Sequence, residues 1–222
     1  MTAVAPESTD TETLTWNDAF GPTTAADDPF ADLTRAVSEL QEAFTRCRPD
    51  RHSALDAAAQ LRRVTKQLRA QEVSEDDQLA GRLWSRPGRG QTMAPALTID
   101  EVTDEHAVGR VTVGRFHSGR YALNGGVTPL IFDEILSRLG NSGGRAWGRT
   151  ASLTVDYRSP APLHVELTVT ADVVGHDGRK RYLRGAITHA DVLIAQAHGL
   201  WIATRPEYLC APTDLIDEGG HA

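Results

Sequence analysis

The sequence predicts an α+β domain in which a curved antiparallel sheet packs over one apolar helix. Three features point to it. After residue 90 the apolar spacing switches from a helical period to a period of two. The segment 127–139 is apolar around most of its circumference, as a helix buried on several sides would be. Four strand-like segments then follow, joined by tight turn signals.

The chain has 222 residues, which suits one main domain with an appendage. Residues 1–28 are rich in Thr, Ala, Asp and Glu and read as a disordered acidic leader. Residues 1–30 hold six acids and no Lys or Arg, so most of the net charge of -7 sits there and the rest is nearly neutral. That balance argues against a phosphate-backbone footprint, so nucleic acid is not expected as a partner. No run is apolar for the roughly 18 residues a membrane span needs. No secretory signal is visible, and Cys47 and Cys210 are far apart, so a reducing cytoplasm is expected.

Residues 29–85 read as a helical pair. Phe30, Leu33, Val37, Leu40 and Phe44 form the stripe of a first helix, stopped at Arg48-Pro49-Asp50. Ser53, with Asp56 three residues on, opens a second, whose stripe is Ala57, Leu61, Val64 and Leu68. One stripe per helix cannot make a core, so the pair should dock on the main domain or on another subunit. Arg86-Pro87-Gly88-Arg89-Gly90 reads as a linker, and a main domain over 92–208 and a tail over 209–222 complete the chain.

Within the main domain, short strands are expected at 97–103 and 107–113. A helix follows over 127–139, with Gly125-Gly126 before it, Thr128-Pro129 as N-cap and N1, and Gly140 at C′. Strands at 151–158 and 165–173 alternate polar and apolar residues. Asp177-Gly178 turns the chain into 180–188, and His189-Ala190-Asp191 into a last strand ending at Thr204. Trp201 and Tyr157 read as core fillers.

Asp133 and Glu134 interrupt the apolar helix. Glu134 has Arg138 at i+4, whereas Asp133 has only Ser137 as a polar neighbour there and so faces either solvent or a cleft. Two glycines ahead of a helix start, with its unpaired N–H groups, could stabilise an oxyanion beside that carboxylate.

Leu123-Asn124-Gly125-Gly126, Leu130-Ile131-Phe132-Asp133-Glu134, the run Arg149–Pro160 and the closing Gly199-Leu200-Trp201-Ile202-Ala203 together resemble the hotdog-fold acyl-CoA thioesterases of the PaaI-like branch. The resemblance covers residues 92–205. It implies hydrolysis of acyl-CoA in a site between two subunits of a dimer or tetramer, with no cofactor and no metal. It puts the general base or nucleophile on Asp133, the carbonyl-polarising N–H on Gly125 and an orienting hydroxyl on Thr150, serving water or the neighbouring subunit's carboxylate. Asn124 stands where the family usually has His; with Gly126 and Arg158 it is expected to contact substrate. Asn donates a hydrogen bond but transfers no proton, so a non-catalytic acyl-thioester binder is the alternative. A hydratase would need a His on this helix or its lead-in loop, which this chain lacks.

Gly140-Asn141-Ser142-Gly143-Gly144 matches GxSxG but lies between helix and strand, the reverse of a nucleophile elbow. The histidines show no metal-ligand spacing. Arg179-Lys180-Arg181 is a basic run that either faces solvent or meets coenzyme A phosphates.

Overall fold

A computed structural model describes residues 20–24 and 28–205. The leader, apart from its end at 20–24 and 28, the last three residues of the expected main domain (206–208) and the tail over 209–222, including Cys210, lie outside the described residues.

Six antiparallel strands form one sheet: β1 Thr98–Val102, β2 His106–Thr112, β3 Gly148–Tyr157, β4 Glu166–Asp177, β5 Lys180–His189 and β6 Val192–Ala203. Their order is β1-β2-β4-β5-β6-β3, which leaves β3 paired only with β6 at one edge. The helix that precedes β3, Thr128–Gly140, lies against all six strands. Its label is α3, after α1 Pro29–Arg46 and α2 Arg51–Arg69. Ile131, Phe132, Ile135, Leu136 and Leu139 on α3 are at most 1% exposed. This is the hotdog arrangement that the strand order and the apolar helix predict.

Close approach of helix and sheet depends on missing side chains. A Cβ on Gly185 of β5 would stand 2.8 Å from the Phe132 ring. Gly140 is the last residue of α3 rather than its C′ cap, and Asn141 takes the cap position. Its reason for being glycine is packing: a Cβ there would meet Leu183 at 3.1 Å and Trp201 at 3.5 Å. Trp201 is fully buried, as expected of a core filler, but Tyr157 is 55% exposed and serves elsewhere.

Both N-terminal helices are capped by aspartates. Asp28 accepts the Ala31 N–H at 2.6 Å, and Asp50 accepts the Ser53 N–H at 2.8 Å. The second helix therefore opens at Arg51, two residues before Ser53, because the Asp50 carboxylate caps it by accepting the Ser53 N–H. α1 docks on the domain: the Glu42 carboxylate accepts the Phe116 N–H at 2.9 Å, just past the end of β2. α2 packs against no other helix or strand among the described residues.

The Arg86–Gly90 segment is a built part of the domain. Gly88 and Gly90 are buried, the Gly88 N–H donates to the Leu97 carbonyl at 3.2 Å, and Arg86 pairs with Asp28. Residues 20–24 are also packed. Thr23 exchanges hydrogen bonds with Ile99 on β1, and Phe20, 1% exposed, meets Trp84 edge-on at 5.0 Å and stacks on Trp147 at 5.6 Å. Underneath lies Arg138 of α3, 1% exposed. It donates to the carbonyls of Trp84 at 2.7 Å and Gly21 at 3.2 Å and sits over the Trp84 ring. Burial pushes its guanidinium pKa down, and Glu134 opposes that shift. Glu134, 6% exposed, lies between Arg138 at 3.6 Å and Arg89 at 2.7 Å. Arg181 is not a solvated phosphate contact: it is buried and donates to the Gly140 carbonyl at 2.6 Å, satisfying the end of α3.

Candidate functional site

Adjacent on α3, Asp133 and Glu134 point apart by the roughly 100° that separates successive helical residues. Glu134 goes into the ionic cluster just described. Asp133 turns to the β3 edge, where it is half-buried and its Oδ1 accepts the Thr150 hydroxyl at 2.7 Å. The register between β3 and β6 shifts at Thr150/Ser152, a bulge that re-aims a strand side chain at the place where Thr150 meets the helix. Within one chain, the Thr150 hydroxyl thus already meets the Asp133 carboxylate. A strand-to-helix contact within one sheet layer reaches it without crossing an interface.

The loop before α3 is held from four sides. The Asn124 N–H donates to the His117 carbonyl at 2.9 Å, and the Leu123 N–H to the Ala161 carbonyl at 3.0 Å. The Asn124 Oδ1 accepts the Gly126 N–H at 2.8 Å, an Asx turn. The Tyr157 hydroxyl, at the end of β3, donates to the Gly125 carbonyl at 2.5 Å. With Gly126 occupied, the Gly125 N–H is left exposed and has no hydrogen-bond partner among the described residues. Asn124 thereby acts first on the turn, while its amide NH₂ stays available to donate. Val127, without a side-chain cap, takes the N-cap position of α3, so buried Thr128 is the first helical residue instead.

Arg158 follows Tyr157 and is anchored by its N–H to the Ile194 carbonyl at 2.8 Å. Its side chain is half-exposed and 3.9 Å from Asp156, too loose a contact to immobilise it. It lines a cleft of about 350 Å³ with Leu123, Thr128, Tyr157 and Ile194, directly beside the Gly125 loop. A larger cleft of about 690 Å³ runs between α1 and the turn at Phe116-His117, and neither Asp133 nor Thr150 lines it.

The structure brings together two sets of the expected residues. Asp133 and Thr150 form one pair, while Asn124, Gly125, Gly126 and Arg158 surround the loop and its cleft. Sequence reasoning missed Tyr157 as the strut between them. The signal available was a tyrosine at the end of an edge strand, where a phenol needs a polar partner.

Residues 122–192 match the family model of the thioesterase superfamily. A crystal structure of a thioesterase superfamily protein is 25% identical and superposes with a TM-score of 0.72, covering 82% of this chain and 95% of that one. The Escherichia coli PaaI protein from the phenylacetic acid degradation operon is 21% identical, with a TM-score of 0.45 over 48% of this chain and 82% of its own. A hypothetical thioesterase from Streptococcus pneumoniae TIGR4, solved with coenzyme A, is 21% identical, with a TM-score of 0.46 over 49% and 85%. No curated protein matches.

Proposed function

From a hotdog domain whose residues 122–192 match the thioesterase superfamily model, we propose that this chain hydrolyses acyl-CoA thioesters to free acid and coenzyme A. The observation that carries the reading is the half-buried Asp133 held by Thr150 at the open β3 edge, on the same helix whose lead-in loop presents an unpaired N–H at Gly125.

Asp133 takes a proton from water while the water oxygen attacks the thioester carbonyl carbon. The oxyanion forms against the Gly125 N–H, the C–S bond breaks, and Asp133 returns its proton to the departing thiolate. In the nucleophilic variant Asp133 itself attacks, and water then hydrolyses the acyl-aspartyl anhydride. Thr150 fixes the carboxylate rotamer. Asn124 shapes the turn and donates its amide to substrate, and Arg158 meets a phosphate in the adjoining cleft. A thiolate leaves with a pKa near 8.5, so departure needs little help from an acid, and Asn124 in place of His is compatible with turnover.

β3 exposes an unpaired backbone edge beside Thr150, and Leu153 and Val155 on it are only half-buried. We infer that a second copy pairs along this edge, which makes the working unit a homo-oligomer. The free, exposed Cys47 fits a reducing cytoplasm, and no described helix is long and apolar enough to cross a membrane.

Thiol release from a panel of acyl-CoAs tests the assignment. Asp133→Asn should lower the rate by about 10²–10⁴-fold, and equal rates for the two proteins would sink it. The second reading, a non-catalytic acyl-thioester binder, is favoured by Asn124. It predicts saturable binding with no turnover on any member of the panel.

A further inference from the structure

The most conspicuous uncovered surface lies on the two N-terminal helices. On α1, Leu40 and Phe44 are 43% and 73% exposed. On α2, Leu61, Val64 and Leu68 are 41–46% exposed, and no residue of the helix is buried. Most helical stability in proteins comes from packing an amphipathic face, and this 19-residue helix leaves its own uncovered. α2 has no packing partner among the helices and strands of its own chain, although only the four residues 47–50 separate it from α1.

The spacing says what kind of partner fits. Phe30, Leu33, Val37, Leu40 and Phe44 are separated by 3, 4, 3 and 4 residues, and so are Ala54, Ala57, Leu61, Val64 and Leu68. This is the a/d pattern of a helix-on-helix seam, a narrower stripe than the wide apolar face of a helix lying in a bilayer. On α1, Phe30, Leu33 and Val37 are half-buried, with Thr34 and Gln41 hydrogen-bonded to Gly90 and Thr92 of their own domain, so Leu40 and Phe44 are the open end of the seam. The flanking positions Ala36 and Ala43 on α1 and Ala58, Gln60, Thr65 and Gln67 on α2 are uncharged. Charges sit farther round and have opposite net sign. α2 carries Arg51, Arg62, Arg63, Lys66 and Arg69 against Asp56, whereas α1 carries Asp32, Glu39 and Glu42 against Arg35 and Arg46.

We infer that α2 of one copy packs along α1 of a second copy, so that two copies exchange helices in a reciprocal, two-fold contact. α2 against α2 would set two strongly basic helices side by side, while α2 against α1 sets basic beside slightly acidic. Two such seams are made in one symmetric dimer. The contact is independent of whether the site turns over thioesters.

Two differently tagged chains, both Cys47→Ser and Cys210→Ser, are co-expressed, one with Leu40→Cys and the other with Val64→Cys, and treated with a short bis-maleimide. The expected product is a covalent heterodimer bearing both tags, lost when Leu61→Glu and Leu68→Glu are added to the second chain. Three results would each overturn the inference. These are no covalent product, an equal product from the Val64→Cys chain alone, and association with phosphatidylserine vesicles in place of cross-linking.

Discussion

Asp133 and Glu134 are consecutive carboxylates on one helix, and their environments assign them opposite consequences on removal. Glu134→Gln takes from the guanidinium of Arg138, 1% exposed, the carboxylate charge 3.6 Å away, and from Arg89 the one at 2.7 Å. Breaking a buried pair by deleting one member costs about 3–5 kcal/mol. The lower end applies, because Arg138 keeps the Trp84 and Gly21 carbonyls and the Trp84 ring. For a protein of this size about 3 kcal/mol corresponds to a Tm lower by about 6–12 °C. Asp133→Asn retains an oxygen for the Thr150 hydroxyl at a half-exposed position and should move stability by less than about 1 kcal/mol. Differential scanning calorimetry on both variants, with thiol release measured in parallel, gives the crossed result: one loses stability, the other activity. If Glu134→Gln melts with the wild type, or if Asp133→Asn falls as far as Glu134→Gln, the division of labour drawn from their burial is wrong.

Tyr157→Phe removes the donor to the Gly125 carbonyl, a bond worth about 0.5–1.5 kcal/mol. kcat should fall about 2–10-fold with KM nearly unchanged, as steady-state kinetics would show. Asn124→His should leave the rate within about tenfold, because a thiolate departs without a proton donor; a gain of about a hundredfold would instead favour the binding reading. Glu42 supplies a pH dependence. Burial raises its pKa, but the N–H groups of Phe116 and Arg115 and the charge of Arg46 outweigh this and hold it below the ordinary value. A depressed folded pKa means that the carboxylate secures α1 above the unfolded value of about 4.3 and lets go as pH falls through the lower folded one. Amide exchange in α1, corrected for intrinsic rate, should therefore rise on acidification below about pH 4, and Glu42→Ala should abolish the step.

The sheet and its helix were legible because their signals are local. Alternation in 151–157 and 165–173, Asp177-Gly178 at the turn and the apolar run 130–139 each specify an element without help from distant residues. So were the stripes of α1 and α2. What the sequence hid was decided by contacts far apart along the chain. Arg86–Gly90 has the composition of a linker, yet it is fixed by Leu97, Glu134 and Asp28, none of which its composition announces. Phe20 looks like part of an acidic leader until Trp84 and Trp147 close around it. At the site, Asp133 stood out because its helix neighbours failed to pair it, but the hydroxyl that holds it comes from a strand bulge, which no spacing rule foresees. The Gly140 cap was misread for the same reason: a glycine demanded by a tryptophan on another strand is indistinguishable in sequence from one demanded by its own backbone.

The guanidinium buried under Trp84 sets where the polypeptide can be shortened. A fragment starting at residue 92 would keep every strand and the whole of α3, and its composition would suggest an autonomous hotdog. It would also strip Arg138 of two carbonyl acceptors and an indole roof and open the apolar surface around it. A piece that keeps these contacts reaches back to Phe20, so a trimming experiment aimed at the helices excises them from within, leaving both flanking stretches in place.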